Sequence, residues 1–246
     1  MPAKKLFVLA NSVKKQNFCV AGKEILKQAG GNYHWGGWIR PVSDHDEGAL
    51  NQLECRLQGS WREVRPLDVV QIPCLECENC SIQPENYRID PGKPWVKTDT
   101  LKFENVSELI ENPPSLWFQP DLDTDRVTPE HIKLLTKHQS LYLIKPEKFF
   151  IRVEYNQYKN MNRARGCFEY NGVCYELLIT DPIFRREYSI YNQDPGDMEI
   201  ESGDNCILCI SLTTEFNGYH YKVIATVFEP ILDPILTKNL DAEIRF

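Results

Sequence analysis

Tyr170-Asn171-Gly172-Val173 and Phe216-Asn217-Gly218-Tyr219 each set an Asn-Gly pair between runs of β-branched and aromatic residues. Asn and Gly readily take the two consecutive positive-φ positions of a type I′ turn, whose twist matches that of paired strands. The flanking runs are therefore expected to fold back as antiparallel hairpins. Outward from these turns, the second half reads as strands over Leu141 to Ile144, Phe149 to Tyr155, Gly166 to Tyr170, Val173 to Thr180, Cys206 to Leu212 and Tyr219 to Phe228. Asp181-Pro182 supplies an N-cap and a first-turn proline for a short helix over Ile183 to Tyr188.

The first half carries shorter strand signals at Leu6 to Ala10, Phe18 to Ala21, Trp35 to Val42 and Leu67 to Ile72, with a weaker one at Trp95 to Lys97. Gly30-Gly31 and Gly36-Gly37 supply turns or close backbone approaches. About five strands separated by longer loops fit a small barrel. Between the halves, Val106 to Ile110 and Thr128 to Thr136 show helical spacing, with Thr128 as N-cap and Pro129 at the first helical position. The expected fold is mainly β with short helices. It divides into a first barrel over 1–103, a helical connector over 104–139, a second barrel over 140–229 and a tail over 230–246.

The chain has 246 residues, of which 42% are hydrophobic and 26% charged, so it carries enough apolar material for folded domains and is not disordered. The apolar stretch Leu6 to Ala10 is too short for a signal sequence and no segment approaches transmembrane length, so no membrane partner is expected. Nine cysteines without an export signal read as reduced thiols of a cytoplasmic protein, with a bacterial-type cytoplasm as the default. A net charge of −7 argues against non-specific coating of nucleic acid, which depends on many contacts from Lys and Arg to phosphate. Residues 1 to 40 nevertheless hold seven bases against one acid, Glu24, which fits either a basic patch or a solvated lysine-rich face.

Cys74-Leu-Glu-Cys77-Glu-Asn-Cys80 has two CxxC steps and so offers three thiolates to one soft metal ion. A fourth ligand is missing. Cys206 and Cys209 lie in an apolar strand, where positions i and i+3 point to opposite faces. Cys167 and Cys174 read as buried thiols acting as small hydrophobes. None of the five histidines is spaced to serve a nucleophilic cysteine, and no catalytic triad order, phosphate-binding glycine loop or HExxH occurs. The sequence makes no positive case for an enzyme or for a cofactor.

Trp35-Gly-Gly-Trp-Ile-Arg-Pro-Val-Ser43 combines flat aromatic faces, glycines that admit a ligand to the backbone, and an arginine able to meet a phosphate or a base edge. It fits a nucleotide platform, or equally a barrel strand with Trp38 in the core and Arg40 in an ion pair. Gln83-Pro-Glu-Asn-Tyr87 and Asn160-Met-Asn-Arg-Ala-Arg165 read as polar loops, base-reading or merely solvated.

Several short motifs occur together in order: Leu9-Ala-Asn-Ser12, Cys19-Val-Ala-Gly22, Gly36-Gly-Trp-Ile-Arg-Pro-Val-Ser43, Leu67-Asp-Val-Val70, Pro84-Glu-Asn-Tyr87, Ile179-Thr-Asp-Pro182 and Tyr221-Lys-Val-Ile-Ala225. In order and spacing, the chain from residue 4 to about 228 resembles the bacterial dual OB-fold domain family. The resemblance implies two tandem OB-like barrels and binding of a nucleic acid or nucleotide, in a prokaryotic defence or genome-maintenance setting. It carries no catalytic residues and does not demand cysteine at Cys74, Cys77 and Cys80.

The motifs are expected to line the cleft between the barrels. Arg40, Lys222 and Lys23 are assigned to phosphates, Trp38, Tyr87 and Trp95 to stacking, and Asn86, Ser43 and Asp181 to base or sugar edges. Asp181 has the alternative role of capping its helix. Two rival readings stand beside this one. The first is a nucleotide-directed enzyme in which Asp181 and Asp44 or Asp46 hold a divalent cation beside Arg40. The second is a scaffold for a protein partner, presenting Leu116-Trp117-Phe118 as an exposed loop.

Overall fold

The structure is a computed structural model that describes residues 3–14, 17–29, 32–60, 62–78, 82–118, 125–136, 138–199 and 203–230. The Gly30-Gly31 turn, Cys80 and residues 231–246 of the expected tail lie outside these residues. The first sheet contains β1 (Lys4–Lys14), β2 (Asn17–Ala29), β3 (Asn32–Val42), β4 (Asp68–Ile72), β5 (Cys74–Cys77), β6 (Asn86–Ile89) and β7 (Val96–Thr100). The chain continues through α1 (Phe103–Ser107), β8 (Arg126–Val127), α2 (Pro129–Lys133), β9 (Leu141–Ile144), β10 (Lys148–Asn156), β11 (Met161–Tyr170), β12 (Val173–Ile179), α3 (Pro182–Glu187), β13 (Gly196–Met198), β14 (Ile207–Phe216) and β15 (Tyr219–Phe228).

The strand orders are β5-β6-β3-β2-β1-β4-β7 and β13-β10-β11-β12-β15-β14-β9, with β8 added to β15. In the first, only Pro73 separates β4, which pairs β1, from β5, which pairs β6, so one bent strand brings the open order round into a ring. In the second, β13 at one end of the order pairs β10, and the next strand, β14, pairs β15 towards the other end, with residues 199–206 between them in sequence. Each ring is a meander of three antiparallel strands whose third strand takes a parallel neighbour: β3 with β6, and β12 with β15. With β4–β5 and β13–β14 each counted as one strand, and β7, β8 and β9 set aside as additions, these are two OB-like barrels of five strands each.

Both Asn-Gly turns have the expected geometry, with φ of 51° and 73° at Asn171 and Gly172 and 51° and 81° at Asn217 and Gly218. Thr128 and Asp181 cap α2 and α3 through their side-chain oxygens, each followed by proline. Two segments expected as polar loops are partly strands. Asn86–Ile89 is β6, the short parallel closing strand, and Met161 to Arg165 is the first half of β11. Charge hides the second of these. Arg163 and Arg165 lie on the outer face, both donating to Glu154, while Ala164 faces the core.

Side-chain alternation assigns each central strand to two cores at once. Leu6 and Val8 fill the first barrel with Ile39, Val70, Ile72 and Trp95, while Phe7 and Leu9 face outward. Leu208, Ile210 and Leu212 fill the second barrel, while Ile207 and Cys209 face outward. The outward sets meet each other, with Trp38, Leu141, Leu143 and Phe228, in a third hydrophobic cluster that fuses the barrels. Burial on both faces explains why these strands read as continuous apolar runs. From the connecting segment, Val106 and Leu109 join the shared cluster, and Leu116, Trp117, Val127 and Ile132 join the second barrel's core. Among the described residues no helix is long and apolar enough to cross a membrane.

Gly22 sits where β1 bulges between Val8 and Ala10, and a Cβ there would lie 1.9 Å from the Phe7 carbonyl oxygen. Gly22→Ala is expected to destabilise the protein by about 3 kcal/mol, the upper range of overpacking costs, in urea unfolding. Gly92→Ala, which meets only a side-chain atom of Asp90 at 3.3 Å, should leave the midpoint unchanged.

Candidate functional site

Both barrels turn strand ends toward one cleft of about 390 Å³. The first contributes Ser12 and Val13 from the end of β1, Cys19 from β2, Arg40 to Val42 from the end of β3, and Gln83 from the β5–β6 connection. The second contributes Lys159 from the β10–β11 loop, Thr180 after β12, Ser211, Thr213 and Phe216 from β14, and Tyr221 and Val223 from β15. Hydrogen bonds join the walls: Val13 N donates to Thr180 O at 3.2 Å, and the Gln83 side-chain Nε2 donates to Leu212 O at 3.1 Å.

Alternation along β3 points Trp38 and Arg40 out of the first barrel, toward the second. Arg40 Nη2 donates to Ser140 Oγ at 2.8 Å and Ser211 Oγ at 3.2 Å, and lies 3.5 Å from Glu85 Oε1. Ser140 Oγ donates in turn to Glu85. Arg40 thus lines the cleft as one member of a four-residue cluster that bridges the barrels. The ion-paired reading of this arginine is met by Glu85, while the same guanidinium lines the cleft.

Lys23 and Trp38 belong to a second bridging cluster, centred on Glu111. Glu111 Oε1 accepts from Lys23 Nζ at 3.2 Å and Gln139 Nε2 at 3.1 Å, and Oε2 accepts from Trp38 Nε1 at 3.0 Å and Leu143 N at 3.2 Å. The Lys23 ammonium also lies 4.5 Å from the Trp38 ring centroid.

The other residues singled out from sequence stand apart from the cleft lining. Ser43 Oγ donates to Glu54 at 2.6 Å. Asn86 is buried beside Gln83 and Glu78, with its Oδ1 unpartnered. Tyr87 lies under Lys4, 4.9 Å from ammonium to ring centroid, and Trp95 is wholly inside the first barrel. Asp181 Oδ1 caps α3 through Ile183 N and Phe184 N while Oδ2 accepts from Val227 N at 3.2 Å. Burial lifts this carboxyl to about 7 against the pull of those three donors. Lys222 is 1% exposed, donates to Phe118 O at 3.3 Å and faces the Tyr175 ring, and burial pulls its ammonium down to about 8.

Among the described residues no three His, Cys, Asp or Glu side chains converge as metal ligands. Asp44 pairs with Arg88 at 2.7 Å. Cys74 is buried, its thiol pushed up to about 11 by desolvation, whereas Cys77 is exposed. The expectation of an exposed Leu116-Trp117-Phe118 loop is corrected. Leu116 and Trp117 are buried, Trp117 Nε1 donates to Gln139 O, and Phe118 stacks on His131 at 3.8 Å. Adjacent aromatics in a proline-bounded loop had looked solvent-facing, but they are the anchors that fasten the connecting segment to the second barrel.

Glu111, Glu85, Ser140 and Ser211 were not legible as a site, because each makes these contacts across at least 28 residues of chain. Phe216 carried a usable signal: it abuts the Asn-Gly turn, and an aromatic residue at a hairpin tip projects toward solvent.

Glu111→Ala would strip four part-buried donors of their shared acceptor and is expected to cost about 2 to 3 kcal/mol, the range for unsatisfied donors, in urea unfolding. Lys222 supplies a pH test. The unfolded lysine keeps its proton up to about 10.4 and the folded one sheds it near 8, so between these values the unfolded state binds more protons. Stability from this group therefore rises with pH across that window. The stability difference between wild type and Lys222→Met should shift in favour of wild type from pH 8 to pH 10.

The family model for the dual OB-containing domain matches residues 4–227. No curated protein matches the chain. The matched span takes in both five-stranded rings, their shared cluster and every described residue of the cleft, and the chain belongs to the dual OB-containing domain family.

Proposed function

We propose that the cleft between the barrels binds a single-stranded nucleic acid or a nucleotide, one nucleotide unit occupying the space beside Arg40. OB-folds take oligonucleotides on the face of their second and third strands, between the loop joining strands 1 and 2 and the loop joining strands 4 and 5. The cleft is bounded by these elements from both barrels. In the first barrel they are the β1 end, the β2 start, the β3 end and Gln83. In the second they are Lys159, Thr180 and the Phe216–Tyr221 hairpin. This convergence carries the reading. A volume of about 390 Å³ lies at the small end of ligand pockets, room for one unit of a strand.

Within that site Arg40 is the cation fixed at the inner wall and Phe216, 60% exposed, is the accessible aromatic face. Lys159 stands at the rim, exposed and without an ion pair among the described residues. The test is fluorescence anisotropy of labelled single-stranded DNA and RNA. Wild type is expected to bind with a micromolar dissociation constant, and Phe216→Ala to weaken binding by about fivefold or more, the loss of one stacking contact. Absence of binding at tens of micromolar protein would overturn the reading.

A further inference from the structure

We infer that the cleft grips its ligand by the base and leaves the phosphates in water. This rests on the nucleotide reading of the same site and concerns which part of the ligand is held. The first observation is the state of the surrounding cations. On the second barrel's outer face Arg152 pairs with Asp197 at 2.7 Å and Glu176 at 2.9 Å, and Arg163 and Arg165 both pair with Glu154, at 2.5 and 2.6 Å. Arg126 pairs with Asp125 at 2.9 Å. Inside the joint, Arg40 shares its charge with Glu85, and Lys23 shares its charge with Glu111. A phosphate arriving on these surfaces would have to displace a carboxylate at each contact.

The second observation is the lining itself. Apart from Arg40 and rim residues Lys159 and Glu47, the cleft offers neutral polar groups such as Ser12, Thr180 and Thr213, together with Phe216 and Tyr221. Thr180 Oγ1 spends its proton on Ile224 O at 3.0 Å and is left to accept, while Thr213 Oγ1 accepts from Tyr221 N at 2.9 Å and keeps its proton to donate, so the pair can still meet a base edge, whereas aromatic rings take its flat face. The aromatic surface continues out of the cleft: the Phe216 and Tyr221 rings lie 6.4 Å apart, as do those of Tyr221 and Tyr219. The Arg126 guanidinium covers Tyr219 at 5.4 Å and Tyr221 at 5.7 Å. A cleft of neutral and aromatic groups, beside Arg126, Arg152, Arg163 and Arg165 already matched by carboxylates, fits an unpaired base better than a run of phosphates.

Two labelled strands carrying the same ten phosphates separate the alternatives: oligothymidylate and an abasic deoxyribose-phosphate strand, each titrated with the full-length protein at 50 and 200 mM salt. A single phosphate contact changes single-strand affinity by roughly threefold over that range, and six contacts by roughly three-hundredfold. Oligothymidylate is expected to weaken by no more than about threefold with salt. The abasic strand should bind at least about tenfold more weakly than oligothymidylate, and Phe216→Ala should narrow that gap. Equal affinity for the two strands, or a salt effect of about a hundredfold or more, would overturn the inference while leaving the nucleotide reading intact. Failure of both strands to bind at tens of micromolar protein would overturn the reading and the inference together.

Discussion

The Glu111 carboxylate is the point on which the two-barrel arrangement depends. Four donors from three stretches of chain converge on it: Lys23 from β2, Trp38 from β3, and Gln139 with the Leu143 amide from β9 and the residues just before it. Its own amide donates to Leu143 O at 2.7 Å, so the residue is clamped at backbone and side chain together. A partly desolvated carboxylate is tolerated only when its lone pairs are filled, and it in turn helps to hold the ammonium over the Trp38 ring. Each partner therefore demands the others, and the demand is met in one relative placement of the barrels.

That placement determines the cleft. The shared apolar cluster supplies the larger part of the attraction between barrels, but apolar contact is non-directional and would accept small rotations. Directed bonds from Glu111, and from Arg40 to Ser140 and Ser211, select one of them. Arg40 is consequently presented to the cleft with its guanidinium already oriented.

The sequence reported the hairpins, the helix caps and most long strands because those features are local. An Asn-Gly pair has its φ preference wherever it stands, and Thr128 and Asp181 cap helices through bonds that span two or three residues. The closing strand β6 escaped notice because four residues with a parallel partner far away in sequence leave no period to detect. The polar half of β11 escaped because its outward face is charged in order to make ion pairs with β10 and β12.

For the candidate site, residue type was informative and residue role was not. Trp38, Arg40 and Lys23 stood out as chemistry-bearing side chains, and they do gather where the barrels meet. Whether such a side chain faces a ligand or a buried carboxylate depends on partners contributed from far along the chain, Glu111 and Ser140 among them. By itself, then, the sequence determined the hairpin turns, the helix caps, most of the long strands and the two-barrel class. The tertiary structure alone decided which polar residues were consumed in joining the barrels and which remained to line the cleft. The physical reason is that a buried charge is defined by the groups that neutralise it, and these come together only once the chain has folded.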